Sequence, residues 1–325
     1  MTRTTVAIAG ATGETGRSII EALLDDAENF EVTALARPAS ANNQKHEALR
    51  ARGVKVVAAD LAGPEEALVA ALSGIDVVIA PLSVPSLRDQ IPLARAAKKA
   101  GVKRFVPSEF AMAMPPRGIH DAQDVKTDVL DEIKRLHLPY TVINVGWWYA
   151  GFIPRLPSGR TAPHVLTAYI TGDNLIPGDG EAVCAVVDTR DIGRYVARII
   201  RDPRTLNKCV LASGFAHRMN ELYDLAEEMS GEKIERTYVS AEDMERRIQD
   251  YRRAIAEGET DFKVTVNLLM MQYFLAAGVR QENSPEYAEY LGYLLATDLY
   301  PDFNPITFRE AFQEILDGKA RPAYS

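Results

Sequence analysis

Hydrophobic positions in the first half of the chain follow two patterns that alternate. Short, nearly continuous apolar runs are separated by longer segments whose apolar positions recur every three or four residues. The first pattern fits a strand buried on both faces, the second an amphipathic helix. Strands are predicted over Thr5–Ala9, Phe30–Arg37, Val54–Ala59, Asp76–Ala80, Arg104–Pro107 and Pro139–Val145. Helices are predicted after the first strand (RSIIEALLDDA) and over Asn42–Arg52, Pro64–Ser73, Leu87–Ala100 and Ala122–Leu136. Stop signals agree: Gly53, Gly74 and Gly101 follow three helix ends, and Pro64 opens a first turn. Strand and helix in strict alternation predict a parallel sheet with helices on both faces, and ligands bind such sheets at the C-terminal strand ends.

The alternation breaks near Phe152. Pro154, Pro157, Gly159, Pro163, Pro177, Gly178 and Gly180 interrupt the chain. A strand over Val183–Val187, a helix over Thr189–Arg201 and a short strand over Val210–Ala212 are expected to pack back on the first domain. Helices are predicted over Asn220–Ser230, Ala241–Glu257, Val264–Ala277, Pro285–Leu295 and Thr307–Leu316.

The first strand ends in G-x-x-G-x-x-G, and a helix follows at once. Gly10 allows a sharp turn, Gly13 a close backbone approach to a pyrophosphate, and Gly16 close helix–strand packing. The helix start offers N–H groups and partial positive charge to phosphates, with Thr12, Glu14 and Thr15 in the same loop. The second strand ends in Arg37 with no acidic neighbour, and Lys45 lies beyond it. That position favours NADP(H), because a carboxylate there would repel a 2′-phosphate. The remaining cofactor contacts are expected at strand ends and beyond: Leu82, Ser83, Ser108 and Gly146. The predicted architecture is α/β, a Rossmann-type doubly wound parallel sheet with a smaller, mainly helical substrate-binding domain. Its NADP-binding domain spans 1–150, with 183–212 packing back on it; 151–182 and 213–325 form the substrate-binding domain.

The loop Ala111–Asp121 is long enough for a substrate or lid loop. Trp147, Trp148, Tyr149 and Phe152 form either a flat apolar wall for a ring substrate or inter-domain core packing. Phe110, Met112 and Tyr169 join them as candidate substrate contacts. Glu109, His120 and Asp121 are polar groups expected to face a substrate, with Glu109 and His120 as candidate catalytic residues. His120 is either a chemical group or a structural one.

Of 325 residues, 37 are Lys or Arg and 45 Asp or Glu, for a net charge of −8. No basic stripe forms, which argues against nucleic acid as a partner. Cys184 and Cys209 make neither a disulfide framework nor a zinc site, which fits a reducing cytosol and predicts no metal. A strand beginning at residue 5 leaves no room for a signal peptide, and the apolar run from Asn267 is too short to span a bilayer. A cytoplasmic monomer or homodimer acting on a small molecule is expected.

Several segments then point one way: Gly10–Gly16, Arg37, KRFVPSEF at Lys103–Phe110, Lys126, LPYTVIN at Leu138–Asn144, AGF at Ala150–Phe152, DPRTLNK at Asp202–Lys208, NELYDLAEEMSGEKIERTYVSAE at Asn220–Glu242 and TDLYPDF at Thr297–Phe303. Together they resemble the isoflavone reductase-like branch of the NmrA-like family, which are atypical short-chain dehydrogenases. The resemblance implies a Rossmann domain, NADP(H) and an apolar cleft for aromatic or heterocyclic substrates of specialised metabolism. It implies that Arg37 pairs with the 2′-phosphate and that Lys126 reaches the nicotinamide ribose, either as general acid/base or only as a binding group. Ala122 stands four residues before Lys126, where ordinary short-chain dehydrogenases have a tyrosine. The family's reductases continue PSEF with glycine and an acidic residue or Asn, whereas this chain reads Ala111-Met112-Ala113-Met114. The leading expectation is an NADPH-dependent reductase with Lys126 as proton donor or relay. Two alternatives are a non-redox cyclisation or condensation enzyme on the same fold, and a sensor of the NADP redox state acting through a protein partner.

Overall fold

The computed structural model describes residues 3–165 and 174–324. In chain order the strands are β1 Thr4–Ala9, β2 Phe30–Ala36, β3 Lys55–Ala58, β4 Val77–Ile79, β5 Arg104–Val106, β6 Thr141–Asn144, β7 Trp147–Trp148, β8 Leu175–Pro177, β9 Val183–Val187, β10 Lys208–Leu211, β11 Phe215–Arg218, β12 Thr237–Val239 and β13 Leu294–Leu295. The helices are α1 Glu14–Asp25, α2 Gln44–Ala51, α3 Glu65–Ala71, α4 Gln90–Lys99, α5 Asp121–Arg135, α6 Thr189–Ile199, α7 Met219–Ser230, α8 Ala241–Ala256, α9 Phe262–Gly278, α10 Pro285–Tyr290, α11 Ala296–Leu299 and α12 Phe308–Leu316.

The chain divides into two compact units. The first runs to Phe110 and adds Ala122–Asn144 and Thr189–Ala212. Its sheet has the order β3-β2-β1-β4-β5, all parallel. A bridge between Phe105 and Tyr140 continues it to β6, which pairs in parallel with β10. The strand order reverses direction between β1 and β4, which creates a crevice outside their C-terminal ends. β1 is apolar on both sides and buries Val6, Ala7 and Ile8 completely. α1 buries Ile19, Ile20 and Leu23, side chains worth about 1.5–3 kcal/mol each when removed from water. On its other side α1 meets α6 at very short range. A Cβ on Gly193 would lie 1.9 Å from the Ser18 carbonyl oxygen. The Gly193 N–H instead donates to Ser18 Oγ at 2.9 Å.

The second unit comprises Ala111–Asp121, Val145–Asp188 and the chain from Ser213. Its core gathers Met112, Tyr149, Phe152, Ile176, Phe308 and Phe312. α9 buries a further apolar face with Leu268, Met271 and Phe274. Side-chain caps fix the helix starts: Ser240 on α8, Asp261 on α9, Ser284 on α10, and Thr307 with Glu310 as a capping box on α12.

Three expectations need correction. β9 does not join the first sheet: it runs parallel to β7 on one side and antiparallel to β11 on the other, so both its edges are filled within the second unit. The 111–121 segment also belongs there, because the Val145 and Gly146 N–H groups both donate to the Ala111 carbonyl. The second unit is not the smaller one, and it carries two small sheets, β11-β9-β7 and β12-β8, alongside its helices.

Candidate active site

The crevice between β1 and β4 is built from bare backbone. Gly10, at the end of β1, has φ +95°, and a Cβ there would sit 2.6 Å from the Pro81 carbonyl oxygen at the end of β4. Gly13 is the N-cap of α1 and offers no side chain to the helix's first N–H groups. A Cβ on Gly16 would lie 2.1 Å from the Gly10 carbonyl oxygen, so only glycine lets α1 start this close to the strand end. Thr12, Glu14 and Thr15 are half-buried around this turn, and Gly13 is exposed. A diphosphate fits such a surface: Gly10, Gly13 and Gly16 bring no side chain to it, and α1 begins there.

Arg37 follows β2 directly and is exposed. Its guanidinium has no ion-pair or hydrogen-bond partner among the described residues, and the same holds for the exposed Lys45 ammonium in the first turn of α2. Two unpaired cations thus flank the loop after β2. Leu82 is half-buried and Ser83 exposed after β4. Ser108, after β5, is buried and held twice: its N–H donates to Gln90 Oε1 at 2.7 Å and its Oγ to the Leu82 carbonyl at 2.8 Å.

Behind Ser108 lies a buried charge pair. Glu109 is 2% exposed and Lys126, on α5, 8%. Lys126 Nζ is 3.8 Å from Glu109 Oε2 and 3.5 Å from the Glu109 carbonyl oxygen. Glu109 Oε2 accepts no hydrogen bond. Burial pushes the Glu109 carboxyl above the usual carboxylate range, opposed by the Lys126 charge and a Gln123 hydrogen bond. Burial pulls the Lys126 ammonium down, opposed by Glu109. Asn144 Nδ2 donates to the Glu109 carbonyl at 3.3 Å and steadies its backbone. Ala122 is buried one turn before Lys126 and brings no hydroxyl. A lysine held this way can bind sugar hydroxyls, and its downward shift makes its proton easier to give up than that of an exposed lysine.

The other sequence candidates lie in the second unit, except Phe110, which is buried at the end of the first unit's opening segment. Met112, Tyr149 and Phe152 are core residues with at most 3% exposure, and the Tyr149 and Phe152 rings offer no free face. Trp147 and Trp148 are half-buried. The Trp147 ring packs edge-on against Phe152 and Phe274 at 4.9 and 5.6 Å, and Trp148 stacks on Tyr324 at 6.1 Å. Gly146, expected at the cofactor, has φ +72° and a packing role: a Cβ would lie 2.3 Å from the Ala185 carbonyl oxygen. His120 is 2% exposed, with its ring 4.0 Å from that of Tyr273. Asp121 accepts from Arg252 at 2.7 Å and Gln272 at 2.8 Å. Tyr169 lies outside the described residues. Sequence reasoning missed Gln90, Gln123 and Asn144, buried amides whose only sequence signal is a polar residue on an otherwise apolar face.

Among the described residues no His, Cys, Asp or Glu group is arranged to hold a metal, and no helix is long and apolar enough to cross a membrane.

Known proteins share this architecture over their full length. An asnovolin J 5′,6′-dehydrogenase of Aspergillus novofumigatus is 44% identical over 314 residues, covering 96% of this chain and 95% of its own. A phenylcoumaran benzylic ether reductase of Pyrus communis is 30% identical over 322 residues, covering 94% and 97%. The solved structure of a leucoanthocyanidin reductase from Vitis vinifera, a binary complex with NADPH, matches with a TM-score of 0.78 at 25% identity, covering 96% of this chain and 99% of that one. The family model described as NmrA-like matches residues 2–306. With the glycine turn, the strand order and these relatives in agreement, the chain belongs to the NmrA-like family, in its isoflavone reductase-like branch.

Proposed function

We propose that this chain is an NADP(H)-dependent oxidoreductase acting on a small aromatic or heterocyclic specialised metabolite. The observation that carries the reading is the bare crevice where Gly10 meets Pro81, with α1 aimed at it and Arg37 unpaired at the neighbouring strand end. The first unit takes the cofactor role and the second the substrate role. The backbone from Gly10 to Gly16, with Thr12, Glu14 and Thr15, holds the diphosphate. Arg37 and Lys45 pair with the 2′-phosphate. Leu82, Ser83 and Ser108 border the nicotinamide half. When bound, the cofactor supplies or accepts a hydride at nicotinamide C4.

Lys126 Nζ holds the nicotinamide ribose and carries the proton that balances the hydride. It gives that proton to the substrate atom beside the reduced carbon, or takes it when the reaction runs toward dehydrogenation. The relatives named dehydrogenase and reductase support the two directions of one such step. Ala122 leaves Lys126, with Glu109 behind it, as the buried proton-bearing pair on this strand end. Trp147 and Trp148 are assigned to the substrate's ring system. Met112, Tyr149 and Phe152 are assigned to the core beneath them.

Ala122 also favours a second reading, in which the cofactor is only a fixture and acid/base groups drive a cyclisation or condensation. Single-turnover mixing of the NADPH-loaded protein with aromatic and heterocyclic C=C and C=N compounds separates the two. The redox reading expects product and reduced-nicotinamide absorbance to change one for one. Product with no absorbance change would overturn it in favour of the second. In the same assay Lys126→Ala cuts turnover at least about tenfold, a barrier rise of ~1.4 kcal/mol.

A further inference from the structure

The loop that carries Arg37 is pinned from inside by a histidine. His46 sits in the first turn of α2 and is only 4% exposed, although the helix around it is polar. Its Nδ1 lies 2.8 Å from the Ser40 carbonyl oxygen and 2.9 Å from Asn43 Oδ1. Asn43 Oδ1 already accepts the His46 N–H at 3.0 Å, which identifies it as the oxygen of that amide. Both neighbours of Nδ1 are therefore acceptors, and Nδ1 must carry the hydrogen. Neutral His46 is thus the Nδ1–H tautomer, shared between the two oxygens.

The bonds continue outward to Arg37. The Asn43 N–H donates to the Ser40 carbonyl at 3.0 Å. The Ser40 N–H and Oγ both donate to the Arg37 carbonyl, at 2.8 and 3.2 Å. Ala41 is buried between them. A single ring thus ties the helix start to the backbone of the residue whose free guanidinium leaves the surface. Lys45, the second unpaired cation, is the residue before His46.

We propose that His46 is the positioning residue for 2′-phosphate recognition, and so sets the preference of this chain for NADP(H) over NAD(H). The inference rests on the reading of Arg37 above. A guanidinium on a free loop loses rotamer and backbone freedom on capturing a phosphate; on a pinned loop that loss has already been met in folding. NAD(H) has no group at this loop for Arg37 to grip, so loosening it leaves NAD(H) binding alone.

The test is a set of calorimetric titrations with NADP+ and NAD+ on wild type, Arg37→Ala, His46→Leu and His46→Asn. Asn places its amide nitrogen where the imidazole Nδ1 stands, so it keeps the donor. His46→Leu should weaken NADP+ by about fivefold, the net contribution of one hydrogen bond, with NAD+ unchanged. His46→Asn should restore NADP+ affinity. Equal loss of both cofactors in His46→Leu, with or without rescue, reduces the histidine to general scaffold and overturns the proposal. Unchanged NADP+ affinity in His46→Leu beside a clear loss in Arg37→Ala overturns the proposal while the Arg37 reading stands. If Arg37→Ala does not lower NADP+ affinity, the Arg37 reading fails and the proposal falls with it.

Discussion

Separating the two members of the buried pair should produce opposite pH responses in stability. Glu109→Gln and Lys126→Met each remove one charge while keeping the side chain's shape. At 3.8 Å and an effective dielectric of about 20, the attraction between the pair is about 4 kcal/mol. Removing one partner leaves the other buried and uncompensated, at a cost of about 3–5 kcal/mol. For a unit of this size that lowers the melting temperature by about 6–20 °C.

The sign of the pH dependence follows from the direction each group is shifted. Burial raises the Glu109 carboxyl above its ordinary value of 4.5. In Lys126→Met only this carboxyl remains, so the folded state prefers it protonated. Its stability deficit relative to wild type is smallest below 4.5 and grows as pH rises through the folded-state value. Burial lowers Lys126 below 10.5. In Glu109→Gln only the amine remains, so the deficit is smallest above 10.5 and grows as pH falls. Gln123, Asn144 and Cys209 remain in place in both variants. The double variant buries two neutral groups and should recover most of the loss. Scanning fluorimetry across pH reads all three. Parallel slopes in the two single variants, or additive losses in the double, would refute the pairing.

Three further outcomes follow from the same geometry. Gly16→Ala puts a methyl group 2.1 Å from the Gly10 carbonyl oxygen and must push α1 off the crevice; NADP+ and NAD+ should both weaken at least about tenfold, ~1.4 kcal/mol, by calorimetric titration. Gly193→Ala forces α1 and α6 apart and should lower the urea midpoint by the equivalent of about 1–3 kcal/mol, and an unchanged midpoint would contradict the close approach. Burial pushes the Cys184 thiol up to about 12 and the Cys209 thiol up to about 11. Neither should react with a disulfide reagent in the native protein near neutral pH, and both should react in guanidinium.

The first unit was readable because its signals repeat. β1 and β4 are largely apolar and buried on both faces, α1 and α4 are amphipathic, and the punctuating glycines at 53, 74 and 101 all adopt positive φ. The G-x-x-G-x-x-G spacing located the crevice for a backbone reason, since at Gly10 and Gly16 no Cβ fits. The second unit was harder to read. β7 has two residues and β8, β11 and β12 three or four, too few to show a period of two. Aromatic clustering at Trp147–Phe152 could not separate a wall from a core, because both demand the same residues. Burial divides them: the tryptophans keep exposed surface, and Tyr149 and Phe152 do not. His46 was invisible for the opposite reason. It lies in a polar helix turn, and its ring contacts with Ser40 and Asn43 hold it inward.

The reading of this chain as an NADP(H) enzyme is tested most directly by titrating NADPH and NADH into wild type and Arg37→Glu, following the change in nicotinamide fluorescence. Wild type should bind NADPH more tightly than NADH. Arg37→Glu should lose NADPH affinity and keep NADH affinity, because it replaces a phosphate-pairing charge with a repelling one. Equal affinities in wild type, or equal loss of both cofactors in the variant, would contradict it.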